Sequence, residues 1–254
     1  MTVKDKILQG RTYLGIELGS TRIKAVLIDD SFSVIASGSK QWENRFENGC
    51  WTYSLDDIHG GIQACYKDLA ENVKAQYGIY PETYGAMGIS AMMHGYMAFD
   101  KNDKLLVPFR TWRNTMTAQA AGELTKLLGF NIPQRWSIAH LYQAVLNKEA
   151  HVPYIAYINT LAGYVHKRLT DRFEVGVGEA SGIFPVEGIG YKKEYLEPTE
   201  KSLAEKGFDH KLKDILPAVR NAGEKGAVLT EEGAKFLDPE GRLKAGVPVC
   251  PPEG

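Results

Sequence analysis

A short run near the amino terminus carries groups suited to a phosphorylated ligand. It reads Glu17-Leu18-Gly19-Ser20-Thr21-Arg22-Ile23-Lys24. Gly19 frees the backbone to turn tightly or to approach a ligand closely. Ser20 and Thr21 place hydroxyl donors beside the exposed amides of a turn, and a concavity of successive N–H groups suits phosphate oxygens. Lys24 adds positive charge. Glu17 supplies a carboxylate able to hold a hydrated magnesium ion. Taken alone, these residues fit an ordinary hairpin with a charged strand end as well as a phosphate cradle. The G-x-x-x-x-G-K-[ST] spacing of a P-loop is missing. A second candidate is His94, in Met93-His94-Gly95. It follows a small-residue run that reads as a parallel strand, and ligands of open α/β sheets gather beyond the carboxyl ends of such strands. A lone histidine is otherwise a structural hydrogen-bonder.

The elements that must position these groups follow from patterning. Apolar runs at 13–18 and 23–28 flank the first candidate and predict two strands joined by a turn. Asp29–Phe32 is a turn, and Val34–Gly38 predicts a third strand antiparallel to the second. Residues 41–53, with Trp42, Trp51 and Tyr53 among polar neighbours, read as a loop. Ser54 can cap a helix whose first turn holds Asp56 and Asp57. Ile58, Ile62, Cys65, Leu69 and Val73 form its buried stripe, and Gly78 and Pro81 end it. Residues 84–90 predict a strand of a sheet covered on both faces. Tyr96–Asp100 and Lys104–Pro108 predict a hairpin, with Phe109–Asn114 as a polar, aromatic loop after it.

Further on, a helix is predicted over 117–128 with its stop at Gly129. Ser137 is expected to cap another, which buries Ile138, Leu141, Tyr142 and Val145. Tyr154–Ile158 reads as a strand, and Asn159 as the cap of a helix running to Leu169. Val175–Ser181 reads as an extended loop, 193–206 as a helix and 214–217 as the start of a turn-rich segment. Thr230 opens a short helix, and Val247–Cys250 enters a strand. Strands first, then alternating helices and strands, imply an α/β domain with a mixed sheet.

Composition narrows the function classes. The chain has 254 residues, enough for a buried core, and a net charge of -1 from 30 basic and 31 acidic residues. No basic footprint for nucleic acid is visible. Cys50, Cys65 and Cys250 are too few and too far apart for a metal site or a disulfide framework, so a reducing cytoplasm is the default. No apolar run approaches the ~18 residues of a membrane span, and the first ten residues lack the apolar core of a signal peptide.

The run Gly15-Ile16-Glu17-Leu18-Gly19-Ser20-Thr21-Arg22-Ile23-Lys24 resembles the first phosphate motif, G-I-D-x-G-T-[TS]-x-x-[KR], of the FGGY carbohydrate kinases in the actin-like ATPase superfamily. Glu17 stands where the family has Asp, with the charge kept and one methylene added. The resemblance implies a ribonuclease H-like amino-terminal lobe over residues 12–254, an α/β mixed sheet flanked by helices, after a leader at 1–11. It also implies ATP and Mg2+ as cofactors. Phosphate binding then falls to Gly19, Ser20, Thr21 and Lys24, and metal binding to Glu17.

Met93-His94-Gly95 is similar to the Met-His-Gly of xylulose kinases, which implies a sugar pocket. His94 would bind a hydroxyl rather than act as a base, and Met93 would touch the carbon chain. Trp112-Arg113-Asn114 resembles the family's W-x-D-x-R, which implies Trp112 packing beside the sugar and Asn114, in place of Asp, bonding a hydroxyl. Met116 stands where the Arg belongs, and Arg113 is its partial substitute. The loop at 41–53 would border the same pocket, surface packing being the simpler account of its aromatics. Thr170-Asp171 and Glu179-Ala180-Ser181-Gly182-Ile183-Phe184 match a further family segment only in part and read as a packing loop.

Gly246–Gly254 resembles the stretch just before G-D-x-x-[AG]-G, whose Asp is the family's catalytic base. The catalytic residue is therefore expected just after Gly254 and not in this chain, with the second lobe also beyond it. The sequence thus reads as the sugar-binding lobe of an ATP-dependent kinase for a ketopentose such as xylulose. Its expected partner is a small sugar, with no nucleic acid and no membrane, and a homodimer is compatible with it. The isolated chain is expected to fold, bind sugar weakly and leave it unphosphorylated. Were it active, Asp100 or Asp103 would be the next candidate base. A non-catalytic sugar- or nucleotide-binding relative is the alternative, and an acyl-phosphate-forming kinase of the same superfamily a third reading.

Overall fold

The structure is a computed structural model that describes residues 1–224 and 226–254. The chain opens with helix α1 (Val3–Leu8) and strands β1 (Thr12–Leu18), β2 (Arg22–Asp29) and β3 (Val34–Gln41). A small hairpin, β4 (Arg45–Glu47) and β5 (Cys50–Thr52), precedes the long helix α2 (Leu55–Tyr77). Then come β6 (Ala86–Ala91), β7 (Met97–Phe99), α3 (Ala118–Leu128), α4 (Ser137–Leu146), β8 (Tyr157–Asn159) and α5 (Leu161–Thr170). The last part holds β9 (Glu174–Gly176), α6 (Val177–Ala180), α7 (Lys193–Glu205), α8 (Leu212–Ile215), β10 (Ala218–Arg220), β11 (Ala227–Val228), α9 (Glu231–Leu237) and β12 (Pro248–Val249).

The central sheet has the order β11-β12-β6-β1-β2-β3. β1 pairs antiparallel with β2, setting Glu17 opposite Lys24, and parallel with β6, setting Leu18 beside Ala91. This is the mixed α/β sheet that the patterning predicts. One apolar core lies between the sheet and α2, α5 and α9, and a second gathers around α3, α4, α7 and α8. Helix α2 starts where expected, on a reciprocal cap between Ser54 and Asp57, and ends at Gly78 in a left-handed conformation. Its stripe of Ile58, Ile62, Cys65, Leu69 and Val73 is fully buried, each large aliphatic side chain contributing about 1.5–3 kcal/mol. Cys65 is a core residue, and burial pushes its thiol up to about 12.

Several expectations are corrected. Within this chain the helices of the first core lie on one face of the sheet. Along β1, buried Leu14, Ile16 and Leu18 alternate with exposed Tyr13, Gly15 and Glu17, and β6 leaves Ala86, Gly88 and Ser90 partly open. Gly15 lies beside Gly88 and opposite Val26, flooring a groove of about 440 Å3. Residues 41–53 are not a plain loop: Asn48 and Gly49, both with positive φ, turn β4 into β5, and Phe46 meets Trp51 across the hairpin. Residues 1–11 hold a helix that buries Ile7 and pairs Lys6 with Asp29 and Asp30.

Asn159 is one residue early as a cap, because Thr160 accepts from Gly163 N. Of Tyr154–Ile158, the first residue closes a 3-10 turn and only the last two enter β8. The extended loop at 175–181 is largely β9 and α6, and α8 stands at the start of the turn-rich segment. The 96–108 hairpin closes through Asp100 N to Lys104 O at 3.1 Å and Leu106 N to Ala98 O at 2.8 Å. The ladder partner of β7, however, is β8.

Helix α2 can reach β3 only because residue 38 is glycine. A Cβ on Gly38 would meet the Leu69 backbone nitrogen and stand 2.6 Å from Cys65 O. Gly38→Ala should therefore destabilise the chain by about 1–3 kcal/mol in urea unfolding. Gly60→Ala, with open space around its Cβ on the same helix, should stabilise it by about 0.5–1 kcal/mol. Equal midpoints for the two variants would refute this account of the helix–sheet contact.

Candidate functional site

The turn between β1 and β2 is built so that its carbonyls point one way. The indole N–H of Trp42 donates to Gly19 O at 2.7 Å, and the Tyr53 hydroxyl to Ser20 O at 2.5 Å. The Trp42 amide donates to Thr21 O at 3.2 Å. Trp42 and Tyr53 stack with ring centroids 4.1 Å apart. In a trans peptide the N–H points opposite to the C=O. Anchoring the Gly19 and Ser20 carbonyls on the aromatics therefore turns the Ser20 and Thr21 amides away from them, on residues that are both exposed. Gly19 is required by space: a Cβ there would stand 3.0 Å from Arg22 O.

Glu17 and Lys24, at the open ends of their strands, form an ion pair at 3.1 Å and are each about half exposed. Among the described residues no cluster of three His, Cys, Asp or Glu side chains forms a metal cage. A lone carboxylate beside a phosphate turn still fits magnesium, which keeps most of its water and takes few protein ligands.

The Met93 region lies beside this turn. Met92 N donates to Leu18 O at 3.0 Å, tying the end of β6 to the end of β1. His94 then adopts φ 71 and Gly95 φ 116. A left-handed histidine is uncommon and costs about 1–3 kcal/mol when the surroundings enforce it. The enforcement is visible. Ser137, expected to cap α4, instead donates its hydroxyl to Gly95 O at 2.5 Å, while Trp136 takes the cap position. A Cβ on Gly95 would stand 2.7 Å from the Phe109 ring. The His94 Nδ1 atom is buried without a hydrogen-bond partner. Burial, aided by the Arg135 charge, holds the His94 pKa below its ordinary value, so the ring is neutral near pH 7.

These two sites on neighbouring strand ends can be set against known proteins. The model for the amino-terminal domain of the FGGY family of carbohydrate kinases matches residues 12–251. The chain belongs to this family. A xylulose kinase from Lactococcus lactis is 23% identical over 124 residues, a match of 46% of this chain and 23% of the relative. The solved structure of a xyloylose kinase from Brucella ovis superposes with a TM-score of 0.76 at 21% identity. A gluconate kinase from Lactobacillus acidophilus gives 0.71 at 19%. Both superpositions cover 96% of this chain and 48% of the other, so the chain spans about half the length of these structures. At such identities they establish the actin-like kinase fold.

Within this FGGY domain the Trp112 loop is tied to β5. Trp112 is exposed, as a sugar-stacking residue would be. Asn114 makes hydrogen bonds within the chain. It is buried, its Oδ1 accepts from Trp51 N at 2.9 Å, and its Nδ2 donates to Trp51 O at 2.8 Å and Thr111 O at 3.0 Å. Both Nδ2 protons and one lone pair of Oδ1 are thus engaged in holding the loop together and to β5. Arg113 lies 3.6 Å over the Trp51 ring. Asp100 accepts from Asn102 N and Lys104 N and so organises its turn, whereas Asp103 pairs with Lys167 of α5. Among the described residues no helix is long and apolar enough to cross a membrane.

Patterning missed the role of Trp42 and Tyr53, although an aromatic at each end of the 41–53 segment was a signal. It also missed Glu179, which is fully buried with both carboxylate oxygens unpartnered.

The two accounts of Asn114 separate experimentally. As a clamp, Asn114→Ala should leave the Trp51 amide and carbonyl unpaired and cost about 1–3 kcal/mol of stability in urea unfolding. A variant as stable as the wild type would return Asn114 to the sugar-ligand role.

Proposed function

We propose that this FGGY domain is the sugar- and phosphate-binding lobe of an ATP-dependent kinase acting on a ketopentose such as xylulose. The observation that carries the reading is the adjacency of two sites at the ends of parallel β1 and β6. The outward amides of Ser20 and Thr21 lie on one, and the strained, neutral His94 on the other, joined through Met92 N and Leu18 O. In such a kinase, magnesium-bound ATP supplies the γ-phosphoryl group that the sugar hydroxyl attacks.

The roles of this chain's residues follow from their placement. The Ser20 and Thr21 amides hold phosphate oxygens, with Gly19 permitting the turn. Lys24 adds positive charge once Glu17 turns to a hydrated magnesium ion and loosens their 3.1 Å pair. Neutral His94 exchanges a hydrogen bond with a sugar hydroxyl and holds the substrate rather than its proton, while Met93 and Gly95 shape the pocket and Trp112 lies at its rim. The base is proposed to follow Gly254, and the lobe by itself to be inactive. A cytoplasmic site suits phosphoryl transfer from ATP and three unpaired thiols, two of them buried.

Because His94 sits at φ 71, glycine is the replacement that removes the ring without adding backbone strain. His94→Gly should weaken xylulose binding by about 0.5–1.5 kcal/mol, the worth of one neutral hydrogen bond, in calorimetry on this chain. Unchanged affinity would remove His94 from the pocket. In the full-length protein, a coupled assay should detect ATP-dependent phosphorylation of xylulose. Sugar binding without turnover would favour a non-catalytic relative, to which the Glu17–Lys24 pair at the expected metal position also points.

A further inference from the structure

We propose that Glu179 is a ligand of the acceptor polyol, its carboxylate receiving hydrogen bonds from two neighbouring hydroxyls of a sugar lying against Met93 and His94. The proposal rests on the sugar-kinase reading above and extends it to a residue with no role there.

Two buried polar groups without partners flank Met93, and each faces a glycine. On one side is His94 Nδ1. A Cβ on Gly182 would stand 2.6 Å from it and 3.4 Å from Met93 Cε. On the other side is Glu179, whose Oε1 and Oε2 both lack a partner. A Cβ on Gly254 would collide with Oε2 and stand 3.2 Å from Met93 Cα. Glycine at 182 and 254 is therefore what leaves both polar groups uncovered by side chains.

A carboxyl in a fully buried position with no partner beyond the weak influence of the Thr160 hydroxyl is costly as a charge. Two hydroxyls on adjacent carbons supply the two donors that a carboxylate can accept side by side. The position is held from below. Glu253 Oε2 accepts from Glu179 N at 3.1 Å, and the Glu253 carboxylate packs so tightly on Gly176 and Gly178 that a Cβ on either would strike it.

The groups around Glu179 define how it titrates. Burial raises its pKa to about 7, the Thr160 hydroxyl at the start of α5 opposes the rise, and the Glu253 charge adds to it. The Tyr191 hydroxyl, buried and unpartnered, is pushed far above its ordinary value by burial and stays neutral. His94 is held low and is neutral near pH 7. Glu179 is then the group that changes charge around pH 7. Hydroxyl donors favour its ionised form and lower its pKa. Sugar binding must therefore release protons at pH 7, and affinity must rise with pH, because the ionised fraction grows roughly tenfold between pH 6 and pH 8.

The test is calorimetry of D-xylulose with this chain at pH 6, 7 and 8, using two buffers of different ionisation enthalpy. Wild type should bind up to about tenfold more tightly at pH 8 than at pH 6 and release protons at pH 7. Glu179→Gln should bind about tenfold more weakly at pH 8, with no pH trend and no proton release. A wild type that binds xylulose without proton release overturns the proposal even if the variant fails to fold. A pH trend that survives in Glu179→Gln also overturns it and assigns the proton to another group. Absence of saturable xylulose binding by wild type overturns this proposal and the ketopentose reading together, whereas binding indifferent to Glu179 leaves that reading standing.

Discussion

Three consecutive backbone carbonyls, of Gly19, Ser20 and Thr21, are held by two stacked aromatic residues. Peptide planarity converts that anchoring into a direction for the amides on the other side. Much of the lobe serves to bring the two aromatics together. Trp42 directly follows β3, and Tyr53 directly precedes the Ser54 cap of α2. Their stacking thus needs α2 to pack closely on the sheet, which Gly38 of β3 permits against Leu69 and Gly61 permits against Ile23 of β2. The hairpin between them closes the connection and lends its Trp51 backbone to Asn114. The turn is thereby tied both to the sheet core and to the loop carrying Trp112.

The second constraint is the strand order. Because β1 and β6 are parallel neighbours, the segments leaving them emerge side by side at one edge of the sheet. One segment turns back at once as a tight hairpin and offers backbone donors. The other is forced through a left-handed histidine by Ser137 and Phe109 and offers a neutral ring. Strain of this kind persists only where surrounding contacts enforce it, and here those contacts come from both cores, Phe109 from the first and Ser137, at the start of α4, from the second. The two cores consequently meet at the site. The open face of the sheet, floored by Gly15 and Gly88, begins at the same edge, with Glu17 and Glu253 on its rim.

Much of this was legible in the sequence because it rested on local patterns. The opening strands, the Ser54 cap, the stripe of α2 and the Gly129 stop all follow from spacing and capping. The errors share a different cause. Ser137 has the side chain of a cap, but a distant backbone carbonyl claimed its hydrogen bond, and no local pattern records such a partner. Thr160 outcompeted Asn159 for the cap by a single residue. The Asn48-Gly49 pair is a strong hairpin signal that was lost among polar neighbours.

The central claim is that the anchored turn presents the Ser20 and Thr21 amides to phosphate. Titration of 15N-labelled chain with Mg-ADP, followed by amide NMR, tests it most directly. The account predicts saturable shifts at Ser20 and Thr21, and their loss in Trp42→Phe, which keeps an aromatic ring but cannot donate to Gly19 O. Saturable shifts located elsewhere, or a response at the turn unaffected by Trp42→Phe, would contradict it.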